Sequence, residues 1–390
     1  MPFSTRFICL CFVMLTAFMT VAQEADSGYT VVEVIDLERL AGPVGTAVFM
    51  SPDGSQYAHV NRGAICLYSL PDNSEIGCYN FDGDIRPNLE TGHWSPDGQF
   101  FALIDNEPLT YLEDADVQLL DIAAGEIRNV TDDEFEGNFF FNADADAVFG
   151  VDVAVTWSDD NQLTVLRYPY EDGENANNVA RIVTVDPVAG ESAVLVEREL
   201  ESPFAYWTIT RSGNRIASAE APFQRDTDIQ SIDIFDAENG ELLEEISLSE
   251  STEIVFSLQF SADDNFILAY NPAPRDTNTR FEPDYDGLVY IDLSDGTEHN
   301  LDEAHFVIQA GFAPEGNAIA YLVQNPFTPE SGGLYIAPAI GEPAELVLQM
   351  ERPDGTTPLS HAQLTWSSNN TIMIRDNTTT NAVLVVLEEN

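Results

Sequence analysis

The chain has 390 residues, 44% of them hydrophobic and 10% aromatic, which supplies enough apolar surface for a sizeable core and excludes a wholly disordered polymer. Against 67 Asp and Glu stand 15 basic residues, all of them Arg, and the formal net charge of -52 excludes a nucleic-acid binder because such a field repels DNA, RNA and anionic lipid. Length alone would allow two or three domains, but a repeat architecture can use it as one.

Residues 1–22 carry Arg6, an apolar run from Phe7 to Val21 and the small-residue sequence Thr20-Val21-Ala22 of a signal-peptidase site. They predict a cleaved signal peptide and a mature chain from Gln23. The competing reading is a single-pass anchor, but the run is about 15 residues where roughly 20 are needed. Cys9 and Cys11 lie inside the run, so no lipid anchor is expected. No later charge-free stretch reaches membrane-spanning length. The expected product is an exported, monomeric protein, periplasmic or extracellular, without membrane insertion, whose residues 23–390 form a single domain.

Cys66 and Cys78 are the only cysteines left after cleavage. Their segments, AICLYSL and IGCYNF, read as neighbouring strands joined by a turn at Pro71-Asp72-Asn73-Ser74. Export to an oxidising compartment favours a disulfide between them; two buried free thiols are the alternative. Without a CxxC spacing a redox role is not expected.

The sequence SPDG stands at Ser51–Gly54 and again at Ser95–Gly98, and five degenerate copies follow, at Trp157–Asn161, Ile209–Gly213, Phe260–Asp264, Phe312–Gly316 and Trp366–Asn370. The large residue before each turn is Met50, Trp94, Trp157, Ile209, Phe260, Phe312 or Trp366. The turn ends on Gly54, Gly98, Asn161, Gly213, Asp264, Gly316 or Asn370, the three residue types that tolerate positive φ. A second apolar strand, a polar connection, a third strand ending in a turn and a short fourth strand complete each unit. Seven such units predict an all-β fold, a seven-bladed propeller of four-stranded antiparallel blades. The last unit is one strand short, and TVVEVIDL near the N-terminus is one strand in excess, so the N-terminal strand is expected to pair with the C-terminal blade and close the ring.

HWSPDGQFFALI followed by VQLLDIAAGEIRNVT resembles the WD40-like repeats of the TolB-like β-propeller family, in which an aromatic precedes SPDG and an Asp-containing strand ends before Gly. The resemblance covers nearly all of the mature chain. It implies the propeller fold and is nearly silent on activity, because its residues make turns and fill cores.

In such a meander the tight turns emerge on one face and the second-to-third connections on the other. Those connections are long, at 105–116, 168–178, 220–228, 271–286 and 324–333, and are rich in Pro and aromatic residues. Recognition is therefore placed on Tyr111, Tyr170, Phe223, Phe281, Tyr285 and Phe327, whose rings offer contact area at little entropic loss, with Arg225, Arg275 and Arg280 as fork-shaped donors to a carboxylate. The bland alternatives are aromatics that cap the blades and arginines that pair with nearby acids.

No cofactor is expected. Calcium is the first metal to weigh: Asn142, Asp144 and Asp146 have a one-three-five oxygen spacing, although Ala147 replaces the loop Gly and Val153 the terminal Glu, and Asp284 with Asp286 offers a second, equally weak pair; zinc ranks below it, because His59, His93, His299, His305 and His361 form no HExxH arrangement. There is no HExxH, GxSxG, GxGxxG or GxxxxGK sequence. Sequons stand at Asn129, Asn369 and Asn377. The leading expectation is a scaffold that binds a protein, peptide or glycan; the alternative is a secreted propeller hydrolase or lactonase that uses acids, with calcium, around the central channel.

Overall fold

The computed structural model describes residues 28–37, 46–70, 72–82, 85–89, 91–105, 115–133, 148–171, 174–175, 179–199, 206–221, 231–248, 257–270, 288–302, 307–323, 332–350, 362–368, 370–376 and 381–389. The expected signal peptide lies outside them. The chain enters on β1 (Tyr29–Asp36). Blade 1 holds β2 (Ala47–Met50), β3 (Gln56–Val60), β4 (Ala64–Ser69) and β5 (Glu75–Asn80); blade 2 holds β6 (His93–Trp94), β7 (Phe100–Ile104), β8 (Val117–Asp121) and β9 (Glu126–Asn129). Blade 3 is built from β10 (Val148–Trp157), β11 (Leu163–Glu171), β13 (Val179–Val185) and β14 (Ser192–Glu199), with the short β12 (Glu174–Asn175) folded back on β11. Blade 4 follows with β15 (Tyr206–Arg211), β16 (Arg215–Ala221), β17 (Ser231–Asp236) and β18 (Leu242–Ser247), and blade 5 with β19 (Ser257–Phe260), β20 (Phe266–Tyr270), β21 (Leu288–Asp292) and β22 (Thr297–Asp302). Blade 6 comprises β23 (Val307–Phe312), β24 (Ile319–Val323), β25 (Gly333–Ala337) and β26 (Glu345–Gln349), and blade 7 β27 (Ala362–Trp366), β28 (Thr371–Asp376) and β29 (Asn381–Glu389).

The strand missing from blade 7 is β1, which runs antiparallel to β29 from Tyr29 opposite Glu389 to Asp36 opposite Val383. The expected closure is thus present. Pairing the two termini covers edges that would otherwise expose unpaired backbone groups. The first strands of successive blades lie side by side around the ring, and blade 7 meets blade 1 where Ser368 N donates to Pro52 O at 2.8 Å.

Local chemistry explains why the repeated residues make these turns. Ser51 Oγ donates to Asp53 Oδ1 at 2.7 Å and accepts Gln56 N at 3.1 Å, while Ser55 N donates to the same carboxylate at 3.0 Å. Ser95 with Asp97 and Ser261 with Asp263 repeat the arrangement. The carboxylates offer the backbone N–H groups of the turn an acceptor, so the loop is stable without tertiary help. A second local device ends the third strand: Gly125, Gly190, Gly240 and Gly296 sit at positive φ and donate N–H to the carbonyls of Asp121, Asp186, Asp236 and Asp292.

Blade 4 departs from the sequence reading. Positive φ is found at Gly54, Gly98, Asn161, Asp264, Gly316 and Asn370 but not at Gly213, because this turn is tighter and closes by Ser212 N to Arg215 O at 2.9 Å. Arg211 opposite Ile216 occupies the place held by Trp94 opposite Phe101 and Trp157 opposite Leu163, so the large residue of this unit is Arg211 and not Ile209. The role is kept although the residue type changes. Trp94 Nε1 and Trp157 Nε1 donate to Phe49 O and His93 O of the preceding blade at 2.9 and 3.2 Å. Arg211 likewise reaches back to Thr164 Oγ1 at 2.6 Å and Gln162 Oε1 at 2.9 Å.

The core is a set of apolar clusters between neighbouring blades, such as Ala58, Ile65, Leu67, Phe101 and Leu103 between blades 1 and 2. Cys66 faces Cys78 across β4 and β5, and the two are joined in a disulfide.

Candidate functional site

The connections between β7 and β8, β16 and β17, β20 and β21, and β24 and β25 all leave and re-enter at one end of the ring. Tyr111, Phe223, Arg225, Arg275, Arg280, Phe281, Tyr285, Phe327, Asp284 and Asp286 fall within these connections and outside the described residues; Asp144 and Asp146, in the link from β9 to β10, also lie outside them. Tyr170 is described. It belongs not to a loop but to β11, opposite Phe149, where the long β10–β11 hairpin carries it into the core shared by blades 2, 3 and 4. Only 4% of it is exposed, and burial pushes its phenol up to about 12, so its ring is spent on packing.

Beneath this end of the ring, where blade 2 meets blade 3, lies a polar cluster that single-residue reading missed. It is assembled from Asp105 after β7, Asp116 before β8, Thr131 and Asp133 after β9, Asp152 on β10 and Arg167 on β11. Arg167 stands opposite Asp152 in the ladder and grips it twice, Nε to Oδ1 at 2.6 Å and Nη2 to Oδ2 at 2.9 Å. Its Nη2 also donates to Thr131 O at 3.0 Å and lies 3.8 Å from Asp116 Oδ1. Gly150 makes room for this: a Cβ there would come within 2.6 Å of Arg167 Cδ and 2.7 Å of its Nε.

The acids hold the stems of two connections. Asp105 accepts Asp116 N at 2.9 Å and Gln118 Nε2 at 2.8 Å, which cinches the connection that carries Tyr111. Asp133 accepts Gly150 N at 2.5 Å, and Asp152 N donates to Ala115 O at 2.8 Å, so the stems of the connection that carries Asp144 and Asp146 are tied to blade 2. The sequon at Asn129 belongs to the same network. Asn129 Nδ2 donates to Asp116 Oδ2 at 2.7 Å, and the buried Thr131 hydroxyl lies 2.7 Å from Asp152 Oδ2.

Four carboxylates around one guanidinium leave an excess of negative charge in a low-dielectric setting. Burial, reinforced by Asp152, Asp105 and Asp133, overcomes the Asn129 hydrogen bond and pushes Asp116 up to about 8. Burial likewise raises Asp105. The Thr131 hydroxyl accepts Val117 N at 2.8 Å and faces two carboxylates, 2.7 Å from Asp152 Oδ2 and 3.3 Å from Asp116 Oδ1. Asp116, Thr131, Asp152 and Arg167 thus form a continuous polar chain that clamps blades 2 and 3 together.

Among the described residues no group of three or more His, Cys, Asp or Glu is placed to hold a metal ion. Among the described residues of the innermost strands, Asp152 is the sole carboxylate, and Arg167 occupies both of its oxygens. A signal for the cluster did exist in the sequence: LTVLRYPY places an Arg within an apolar strand of a chain that has few cations.

No family model matches the sequence, and no curated protein matches it. Solved structures do share its fold. A chain from the crystal structure of a mitotic checkpoint complex is 13% identical and superposes with a TM-score of 0.56 over 98% of this chain and 99% of that one. An oligogalacturonate lyase in complex with manganese is 12% identical, with a TM-score of 0.58 over 95% and 96%. At such identities the likeness is one of fold, and what these comparisons and the sheet topology establish is a seven-bladed β-propeller with repeated blades.

Proposed function

We propose that the chain is an exported propeller of the TolB-like kind that binds a protein, peptide or glycan on the end from which the long connections emerge, without chemistry of its own. One observation carries the reading: the stems of two of these connections are locked to each other and to two blades by the buried Asp105–Asp116–Asp152–Arg167 network. Recognition surfaces gain affinity when the loops that form them are held in place beforehand, because less ordering is left for the binding event. The likeness to a chain of a protein complex is in keeping with this reading.

A second reading, a hydrolase or lactonase, draws on the likeness to a propeller lyase and on Asp116, a carboxyl that holds its proton at neutral pH as a general acid does. The Arg167 clamp on Asp152 weighs against a catalytic role for that acid. Replacing residues 272–285 with a Gly-Ser linker and screening wild type and variant against peptide and glycan arrays tests the first reading. A tenfold or greater loss of retained ligands with unchanged thermal stability is expected. Unchanged retention removes the binding proposal, and turnover of ester or lactone substrates that disappears in Asp116→Asn establishes the second reading in its place.

A further inference from the structure

Arg375 lies on β28 where blade 7 meets blade 1, and only 2% of it is exposed. Two residues earlier on the same face of β28, Met373 packs in one cluster with Tyr57 of β3, and His59 follows Tyr57 by two on the same face of β3. Arg375 and His59 thus enter this seam from opposite blades, one pleat beyond the apolar contact. Arg375 Nη2 donates to Thr46 O and lies 3.3 Å from Thr46 Oγ1. Its Nη1 and the Nε2 of His59 are both buried without a hydrogen-bond partner among the described residues.

A guanidinium keeps its charge in proteins, and burying one without an opposite charge is strongly disfavoured. At the seam of blades 2 and 3 Asp152 supplies that charge to Arg167. No carboxylate among the described residues does so for Arg375, in a chain with 67 acids to draw upon. A water molecule in the gap would satisfy the orphan N–H but leave the charge. An anion satisfies both, and with a proton on Nε2 His59 donates to it as well. Burial, with Arg375 adding to it, holds the His59 imidazole below its ordinary value when the seam has no anion.

We propose that the seam between blades 7 and 1 is a binding site for a small monovalent anion of the chloride class, held by Arg375 Nη1 and His59 Nε2. Exposures of 2% at Arg375 and 5% at Thr46 match a single-atom ion better than an organic acid. The anion is a structural rivet that neutralises the seam beside blade 7, the blade in which β1 and β29 close the ring.

Two measurements test this. Crystals of the full chain soaked in sodium bromide should show an anomalous peak within hydrogen-bonding distance of Arg375 Nη1 and His59 Nε2. A water there, or a carboxylate such as that of Glu38, overturns the proposal. Melting temperature is then compared in sodium chloride and in sodium gluconate at equal ionic strength, so that general screening of the acidic surface is common to both. Wild type should melt higher in chloride by on the order of 3 °C, saturating with concentration, and Arg375→Met should lose that difference. Equal shifts in the two salts overturn the site. Should Arg375→Met fail to fold, His59→Phe serves as the second variant, with a reduced chloride preference expected and an unaltered one counting against the donor role of His59.

Discussion

Two seams of the same ring solve the problem of a buried arginine in opposite ways. Between blades 2 and 3, Arg167 is surrounded by acids and grips Asp152 through both oxygens, and burial together with the surplus of negative charge pushes Asp116 up to about 8. Between blades 7 and 1, Arg375 is more deeply buried, its side-chain partners among the described residues are both on Thr46, and burial pulls it down to about 10. The contrast teaches that position in the blade does not decide how a buried charge is met. What decides is which connections descend onto the seam. Asp105, Asp116, Thr131 and Asp133 all lie on the stems of long connections, whereas the described residues that flank the seam between blades 7 and 1 are Thr46 and an apolar group of Leu37, Val48 and Met50.

The comparison is broken most severely at Arg167. Arg167→Met strands Asp152 and its neighbours without a cation, and urea unfolding at neutral pH should register a loss of about 3–5 kcal/mol. Adding Asp152→Asn should recover part of it. If the single variant is as stable as wild type, the clamp is not what joins blades 2 and 3. Next in size is the disulfide beside the other seam: replacing Cys66 and Cys78 with Ser removes a cross-link spanning 12 residues and should lower stability by about 2–3 kcal/mol, as read from the denaturation midpoint. Gly150→Ala sharpens the first seam without touching a charge. Its Cβ would overlap the Arg167 side chain, and a loss of roughly 1–3 kcal/mol is expected.

Asp116 distinguishes the seams by their response to pH. A carboxyl held above its unfolded value keeps its proton in the folded state after the unfolded chain has released it. Its contribution is therefore full below about pH 4 and is lost as pH rises through about 8. Wild type should lose up to roughly 1.4 kcal/mol per pH unit across that window relative to Asp116→Asn, which lacks the titrating group. Parallel pH profiles for the two proteins would mean that Asp116 carries no proton. The smallest effect is expected at Arg375→Met in chloride-free buffer, within about 1 kcal/mol of wild type, because an apolar side chain of similar length replaces a cation that has no opposite charge there among the described residues.

Much of the fold was legible because its signals are local. A Ser and an Asp two residues apart make the same turn after the first strand of blades 1, 2 and 5, so the blade count, the strand order within a blade and the hairpin that carries Cys66 and Cys78 followed from short stretches of chain. Even the partnership of β1 with β29 could be inferred from a deficit at one end and an excess at the other. Tertiary structure decided the rest. Residues 211, 167 and 375 are all arginines in apolar strands, yet one replaces a tryptophan, one clamps a carboxylate and one acts on an imidazole. Tyr170 reads as a loop aromatic until the length of β10 buries it. The physical reason is that a turn is stabilised by its own few residues, whereas the worth of a buried charge depends on what the neighbouring blade brings opposite it, dozens of residues away in the chain.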